Sequence, residues 1–416
     1  MIRYKKYKPS GIQWIGDIPE YWDLLRLKYI SDIVTGDKDT VDRDDNGEYP
    51  FFVRSKKIER ISTFSFNGEA ILTAGDGDIG KIFHYITGKF DFHQRVYKIS
   101  NFKGIIGKFL FYFMQSNFYY EVIRISAKST VDSLRLPMLQ NFYSLIPNNH
   151  EQTAIANYLD KKTAQIDELI SKKEQLLRLY EEEKTAIINQ AVTKGLDTKV
   201  KLKDSRIEWL GEIPEHWVIR RLATIGKFSK GKGIPRSELK EDGCPAILYG
   251  DIYTKYNIKV DIILNHISYD TALSSIKIQN GILMFTGSGE TKEDIGKCIV
   301  YLGYGDVYAG GDVIIFKQKQ CDSLFLSYSL NSHASVYQKA RTSKGEIIIH
   351  IYSSDLRDLV LVLPEIEEQV SIVKYIKTET ARIDAKSEKT KKLIELLKEY
   401  RTALISEAVT GKIKVS

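Results

Sequence analysis

Cysteine, histidine and proline are scarce in this 416-residue chain, and each scarcity closes off a class of function. Three cysteines, Cys244, Cys298 and Cys321, are too few for a disulfide framework and too widely spaced for a zinc site. They read as core thiols in a reducing compartment. The seven histidines, His84, His93, His150, His216, His266, His333 and His350, contain no i, i+4 pair, and neither HExxH nor an acidic cluster accompanies them, so no metal is expected. None of the nine prolines begins a Pro-Asp dipeptide or sits in an Asn-Pro-Pro-aromatic tetrad. Nuclease metal chemistry and the gripping of a flipped base therefore lack their parts. No run approaches the roughly 18 apolar residues of a membrane span, and the N-terminus lacks the apolar stretch of a signal peptide. The expectation is a soluble, cytoplasmic, non-catalytic protein.

What the chain does hold is apolar and aromatic surface, with 43% hydrophobic residues, 25 Tyr and 17 Phe. At this length more than one core is expected. The net charge of +7 permits an anionic partner without requiring one. Residues 31–150 and 226–367 each lie within one charge of neutral, so any nucleic acid must be held by clustered rather than net charge.

The chain is a duplication. Residues 11–30, GIQWIGDIPEYWDLLRLKYI, align without gaps to 206–225, RIEWLGEIPEHWVIRRLATI, matching Trp14/Trp209, Gly16/Gly211, Pro19/Pro214, Trp22/Trp217 and Arg26/Arg221. Residues 151–193 align to 368–410, again without gaps. Both of these longer blocks read as helix. Apolar residues step by four and three through Ile155, Leu159, Ile166, Leu169, Leu176, Tyr180 and Ile187, and in the second copy through Ile372, Ile376, Ile383, Leu393, Leu397 and Leu404. Gly195 and Gly411 mark the stops. Each helix would be about 65 Å long and could not bury its stripe alone, so the two copies are expected to pair. Lys162 and Lys173 interrupt the first seam, Glu379 and Lys386 the second.

The fold class expected is α/β (α+β): two globular β-rich domains joined by two long antiparallel coiled-coil helices, with a pseudo-twofold internal duplication. The boundaries read as 1–147 for the first domain, 148–195 for its helix, 196–364 for the second domain and 365–416 for the second helix. Within the inserts, strand-like runs alternate with Gly and Asp turns, and Gly75-Asp76-Gly77 answers Gly287-Ser288-Gly289. An aromatic-rich stretch then reads as one helix in each copy. Gly75 to Lys81 fits the spacing of a phosphate-binding loop only as far as the lysine, because Ile82 replaces the hydroxyl that would ligate Mg²⁺. Phe285-Thr-Gly287-Ser-Gly289 mimics a methyl-donor turn, but Thr73 replaces the Phe in the first copy. What remains is a set of basic loop residues able to hold phosphates or reach base edges. These are Arg54, Lys56, Lys57, Lys81 and Lys128 in the first insert, and Lys230, Lys232, Arg236, Lys297, Arg341 and Lys344 in the second.

The doubled GI-x-W-IG-x-IP-x-x-W opening resembles the specificity (S) subunit of a type I restriction–modification system. So do the Pro147 and Pro364 leads into EQ-x-x-I helix starts, the Ile166-Asp167 and Ile383-Asp384 pairs and the TA-x-I-x-x-AVT endings. The likeness covers essentially the whole chain. It implies that each insert is a target recognition domain reading one half of an asymmetric bipartite site in double-stranded DNA, and that the helices set the spacer. It also implies two docked modification (methyltransferase) subunits, joined by restriction/translocase subunits, in an assembly that cleaves DNA and methylates adenine N6. S-adenosylmethionine, ATP and Mg²⁺ would be bound by those partners and not by this chain. Family members diverge in the inserts, so no base-reading residue is carried over by motif. The competing expectation is a coiled-coil scaffold whose inserts bind proteins.

Overall fold

The computed structural model describes residues 3–126, 133–346 and 348–415. They form two compact units, one made of Met1–Gln175 with Thr390–Ser416, the other of Leu176–Lys389. These units do not follow the linear boundaries read from the sequence. Each combines one globular domain with the beginning of one long helix and the end of the other, because both helices, Asn149–Lys194 and Ile366–Val409, are shared between units.

In the first unit a hairpin of Tyr7–Pro9 and Asp17–Pro19 leads to strand Asp23–Arg26, which pairs antiparallel with Tyr143–Ile146 just before the long helix. The insert is a six-stranded sheet in the spatial order Asp32–Thr35, Val96–Ser100, Phe66–Ala74, Phe83–Phe92, Tyr49–Phe52, Ile58–Ile61. Only Tyr49–Phe52 against Phe83–Phe92 is parallel. Helix Gly107–Ser126 supplies Phe109, Phe113 and Phe118 to a core that also takes Trp22, Phe142, Ile155, Leu159 and Leu404.

The second unit repeats the frame, with Leu202–Asp204 on Glu212–Pro214 and Val218–Arg221 on Val360–Leu363. Its longer insert makes two five-stranded sheets and adds the short helices Tyr249–Thr254 and Tyr269–Ser274. The aromatic stretch expected as one helix is two here, Ser323–Leu330 and His333–Thr342. The break falls at Asn331, whose side chain bonds both the N–H and the carbonyl of Cys298 and so takes the chain out of helical register.

The Glu-Gln pair at each helix start explains why that motif occurs twice. Glu151 accepts from the Trp22 indole (3.3 Å) and the Tyr21 hydroxyl (3.0 Å), and Glu368 meets Trp217 (3.2 Å) and His216 (2.9 Å) in the same way. Gln152 accepts from the Ile106 N–H and donates to the Pro147 carbonyl; Gln369 accepts from the Asp322 N–H and donates to the Pro364 carbonyl. One carboxylate and one amide thus tie frame, insert and helix together, satisfying groups that burial would otherwise leave costly.

Helix pairing is seen in each unit separately. In the first, Asp167 holds Arg401 (2.8 Å); in the second, Asp384 holds Lys184 (2.7 Å). The aspartates occupy equivalent positions, as do the bases, so the same pair recurs with the two helices exchanged. Ile155, Leu159, Ile166, Ile372, Ile376, Ile383 and Leu404 are buried, while Leu176, Tyr180, Ile187 and Leu397 are half-buried. Two assigned seam positions are corrected: Leu169 is 40% and Leu393 39% exposed, and their neighbours Ile170 and Ile394 turn inward instead. The cause is small polar residues in the seam. Thr163, beside the Tyr112 hydroxyl, is buried, as are Ser387 and Thr390, and they shift the stripe by one residue. Ile166→Ala should therefore cost about 2–5 kcal/mol in urea unfolding. Leu169→Ala should cost less than about 1 kcal/mol, and equal losses would refute this register.

Candidate nucleic-acid interface

Four loops of the six-stranded sheet of the first insert converge: residues 36–44, 53–57, 75–81 and 93–95. Backbone bonds fix the convergence. His93 N–H donates to the Phe52 carbonyl (2.9 Å), Gln94 N–H to Lys38 (2.8 Å), and Gly75 N–H to the Arg95 carbonyl (2.8 Å). Gly36 lies so close to this turn that a side chain would strike the Phe92 and His93 carbonyls. The buried His93 accepts from the Arg95 N–H at Nδ1 (2.9 Å), which leaves Nε2 to donate toward Asp39 at 3.4 Å. Between the loops lies an open cleft of about 510 Å³, lined by residues that include Arg43, Phe51, Arg54, Glu59 and Asp76.

Asp76 organises the charge here. Arg54 Nη1 reaches both its oxygens (3.1 and 3.0 Å), and Arg95 Nη1 reaches Oδ2 at 2.8 Å. Burial pushes the Asp76 pKa up, but the hydrogen bonds from Arg95 and Arg54 outweigh it and hold the carboxyl below the usual carboxylate range. Asp76 is therefore charged at neutral pH. Its side chain is 15% exposed, whereas those of Arg54 and Arg95 are 42% and 64% exposed.

The other candidates are placed less uniformly. Lys56 and Lys57 are exposed beside Arg54, and Lys57 pairs with Glu59 at 3.0 Å. Lys81 is exposed and sits over the Tyr119 ring (5.2 Å) with Asp78 at 3.7 Å. Lys128 lies outside the described residues. In the second insert Lys230, at the end of strand Gly226–Lys230, and Lys232 and Arg236 after it are exposed, and the segment is seated on the Gly310-Gly311 turn through close approaches at Gly231 and Gly233. Lys344 is exposed, its backbone paired with His350. Lys297 is not a free cation: its ammonium donates to the carbonyls of Tyr256 (2.8 Å) and Tyr253 (3.4 Å) at the end of a short helix, and burial lowers its pKa. It closes that helix. Arg341 sits over Trp209 and Tyr337, both at 5.7 Å. Sequence reasoning missed Arg43, Arg95 and Asp76. The available signal was Gly36, which aligns with Gly231 and opens the same loop in each copy.

Hydrogen bonds give the correspondence between inserts. Phe52 and Ile247 accept from His93 and Gly310; Gly75 and Gly287 donate to Arg95 and Asp312. Arg54, Asp76 and Arg95 therefore stand where the second insert has Tyr249, Ser288 and Asp312. Among the described residues no group of three or more His, Cys, Asp or Glu side chains could hold a metal ion, and no helix is long and apolar enough to cross a membrane.

Comparison with known proteins agrees with this twofold plan. The family described as the type I restriction modification DNA specificity domain matches residues 19–178 and again 214–396. The type I restriction enzyme EcoDI specificity subunit of Escherichia coli is 22% identical over 422 residues, covering 96% of this chain and 90% of that one. The MjaVIII specificity subunit of Methanocaldococcus jannaschii is 24% identical over 433 residues, covering 96% and 94%. Among solved structures, a chain from work on complex assembly and conformational transition of the type I R-M system matches with a TM-score of 0.70 at 14% identity, covering 95% of this chain and 99% of that one. The HsdS subunit from Thermoanaerobacter tengcongensis matches with a TM-score of 0.55 at 15% identity, covering 95% and 98%. At such identities these two likenesses speak for the fold. The two family matches span most of the chain, one on each copy of the frame and insert, and the protein belongs to the type I restriction-modification DNA specificity subunits.

Proposed function

We propose that this chain is the sequence-recognition subunit of a type I restriction–modification complex, with each insert reading one half of an asymmetric DNA site. The observation that carries this is the duplication of a specificity domain in which the frame is kept and the loop residues differ. Dissimilar loops on similar scaffolds suit two dissimilar half-sites. The long helices set the spacing between those half-sites, since paired helices resist bending as a flexible linker does not. Their outward faces, with Leu179, Leu396 and Tyr400 exposed, receive two modification subunits. Restriction subunits join these. Methyl transfer from S-adenosylmethionine and ATP- and Mg²⁺-dependent cleavage belong to those partners, and this chain chooses where they act.

Salt dependence tests the DNA contact. If six phosphates are neutralised, affinity for a specific duplex should fall by about three orders of magnitude between 50 and 200 mM salt. A flat response would favour inserts that bind protein. Replacing residues 31–140 with the corresponding insert of a relative keeps the strand pair Asp23–Arg26 and Tyr143–Ile146. That exchange should change one half-site of the methylated sequence and leave the other; a change in both would exclude independent reading. Removing one heptad from each helix, residues 172–178 and 389–395, should shorten the spacer by about three base pairs, from 1.5 Å per residue and 3.4 Å per base pair. Both half-sites should persist, and an unchanged spacer would rule out the helices as the measure.

A further inference from the structure

We propose that Arg54 and Arg95, clamped by Asp76, read guanine edges in the half-site recognised by the first insert. This rests on the DNA-recognition reading above and names the residues that give one half of it its specificity.

Geometry and charge together favour a base edge over a phosphate. A phosphate contact gains from net positive charge and tolerates a mobile side chain, as the prevalence of lysine at such contacts shows. Asp76 works against that use: it cancels one of two positive charges and would repel a neighbouring phosphate. What it supplies is orientation. Each arginine spends Nη1 on the carboxylate, and no further side-chain partner of either is seen among the described residues. The Nε and Nη2 donors of each guanidinium remain as a fork of fixed direction. That fork matches the O6 and N7 acceptors of guanine in the major groove.

The supports behind the fork are equally rigid. The Arg95 backbone is held on both sides, its N–H on His93 Nδ1 and its carbonyl on the Gly75 N–H. The Arg54 loop is held by the Ser55 carbonyl on His84 Nε2 at 2.9 Å. Arg54 and Asp76 also line the cleft, which places the device in a concave surface and not on an isolated loop tip. At the corresponding places the second insert has Tyr249, Ser288 and Asp312, so the device belongs to the first half-site alone.

The experiment is selection from a duplex library with both half-sites and the spacer randomised. It uses the full chain assembled with its modification subunits, and compares wild type with Arg95→Ala, Arg95→Lys, Arg54→Ala and Asp76→Asn. Wild type should select guanine at one or two positions of one half-site. Arg95→Ala and Arg54→Ala should each relax one of those positions by about 5- to 150-fold while the other half-site stays intact. Arg95→Lys should not restore selection, because an ammonium lacks the fork. Asp76→Asn should weaken guanine selection although it raises net charge. Both arginines are exposed at the surface, so their alanine variants should fold, which thermal unfolding verifies. Three results overturn the inference: no guanine in the affected half-site, uniform weakening across all sequences with the salt slope lowered by about one, or full rescue by lysine. A wild-type complex that selects no sequence at all overturns the DNA-recognition reading instead.

Discussion

Everything in each unit hangs on a carboxylate and a buried amide at the first turn of a long helix. Glu151 and Gln152 in one unit, and Glu368 and Gln369 in the other, bond the frame tryptophan, the insert backbone and the proline carbonyl that precedes the helix. Removing the carboxylate would leave an indole N–H in the core without an acceptor, and removing the amide would orphan a backbone N–H of the insert. The carboxylate meets frame side chains and the amide meets the insert only at its backbone, so neither depends on the insert's side chains. That independence lets two inserts of different length and topology occupy one scaffold.

The first unit also needs both ends of the chain. Tyr7 donates from its hydroxyl to the Gly411 carbonyl at 3.0 Å, Lys412 donates to the Asp17 carbonyl at 2.6 Å, and Ala408 and Val409 pack in the core with Trp22. Gly411 sits at φ +71° with Pro19 and Trp22 against it, so the helix end and the frame meet where a side chain has no room. The corresponding contact in the second unit is Gly195, at φ +75° beside Trp217, reached without a chain terminus. One interaction thus closes the first unit across the whole sequence and the second across a short loop, which links the stability of the first domain to the end of the second helix.

Much of the fold was legible in the amino-acid pattern because repetition carries information that a single copy does not. The frame blocks aligned without gaps, and the helix ends fell at glycines with positive φ. The seam was legible only to within one residue. Leu169 and Ile170 are both apolar, as are Leu393 and Ile394, and the choice between them depends on whether Thr163, Ser387 and Thr390 face inward. Residue type alone argues that they do not. Tyr112, on a different helix, decides otherwise for Thr163 by offering its hydroxyl at 3.3 Å. The interface was less legible still. Arg54, Asp76 and Arg95 are brought together by a six-stranded sheet and three backbone bonds, and no periodicity in the chain announces that. Lys297 looked equivalent to Lys81 by position, yet the helix Tyr249–Thr254, which the first insert lacks, turns its ammonium onto carbonyls.

Near-neutral inserts constrain how DNA can be recognised on the proposed reading. With little net charge, long-range attraction to DNA is weak, so phosphate contacts must come from local clusters of cations and the choice of sequence from matched edges. A carboxylate set between two arginines moves the balance further in that direction, lowering general attraction while fixing donors in space. The second insert follows a different route at the same places, with a phenol, a hydroxyl and a carboxylate at Tyr249, Ser288 and Asp312. Three of its cations, Lys230 at the end of a strand and Lys232 and Arg236 just after it, are exposed and show no carboxylate partner among the described residues, an arrangement suited to phosphates more than to a guanine edge. On that reading the two halves of the chain divide a common scaffold between oriented donors in one domain and looser charge in the other, and an asymmetric site would follow from the different side chains at equivalent positions.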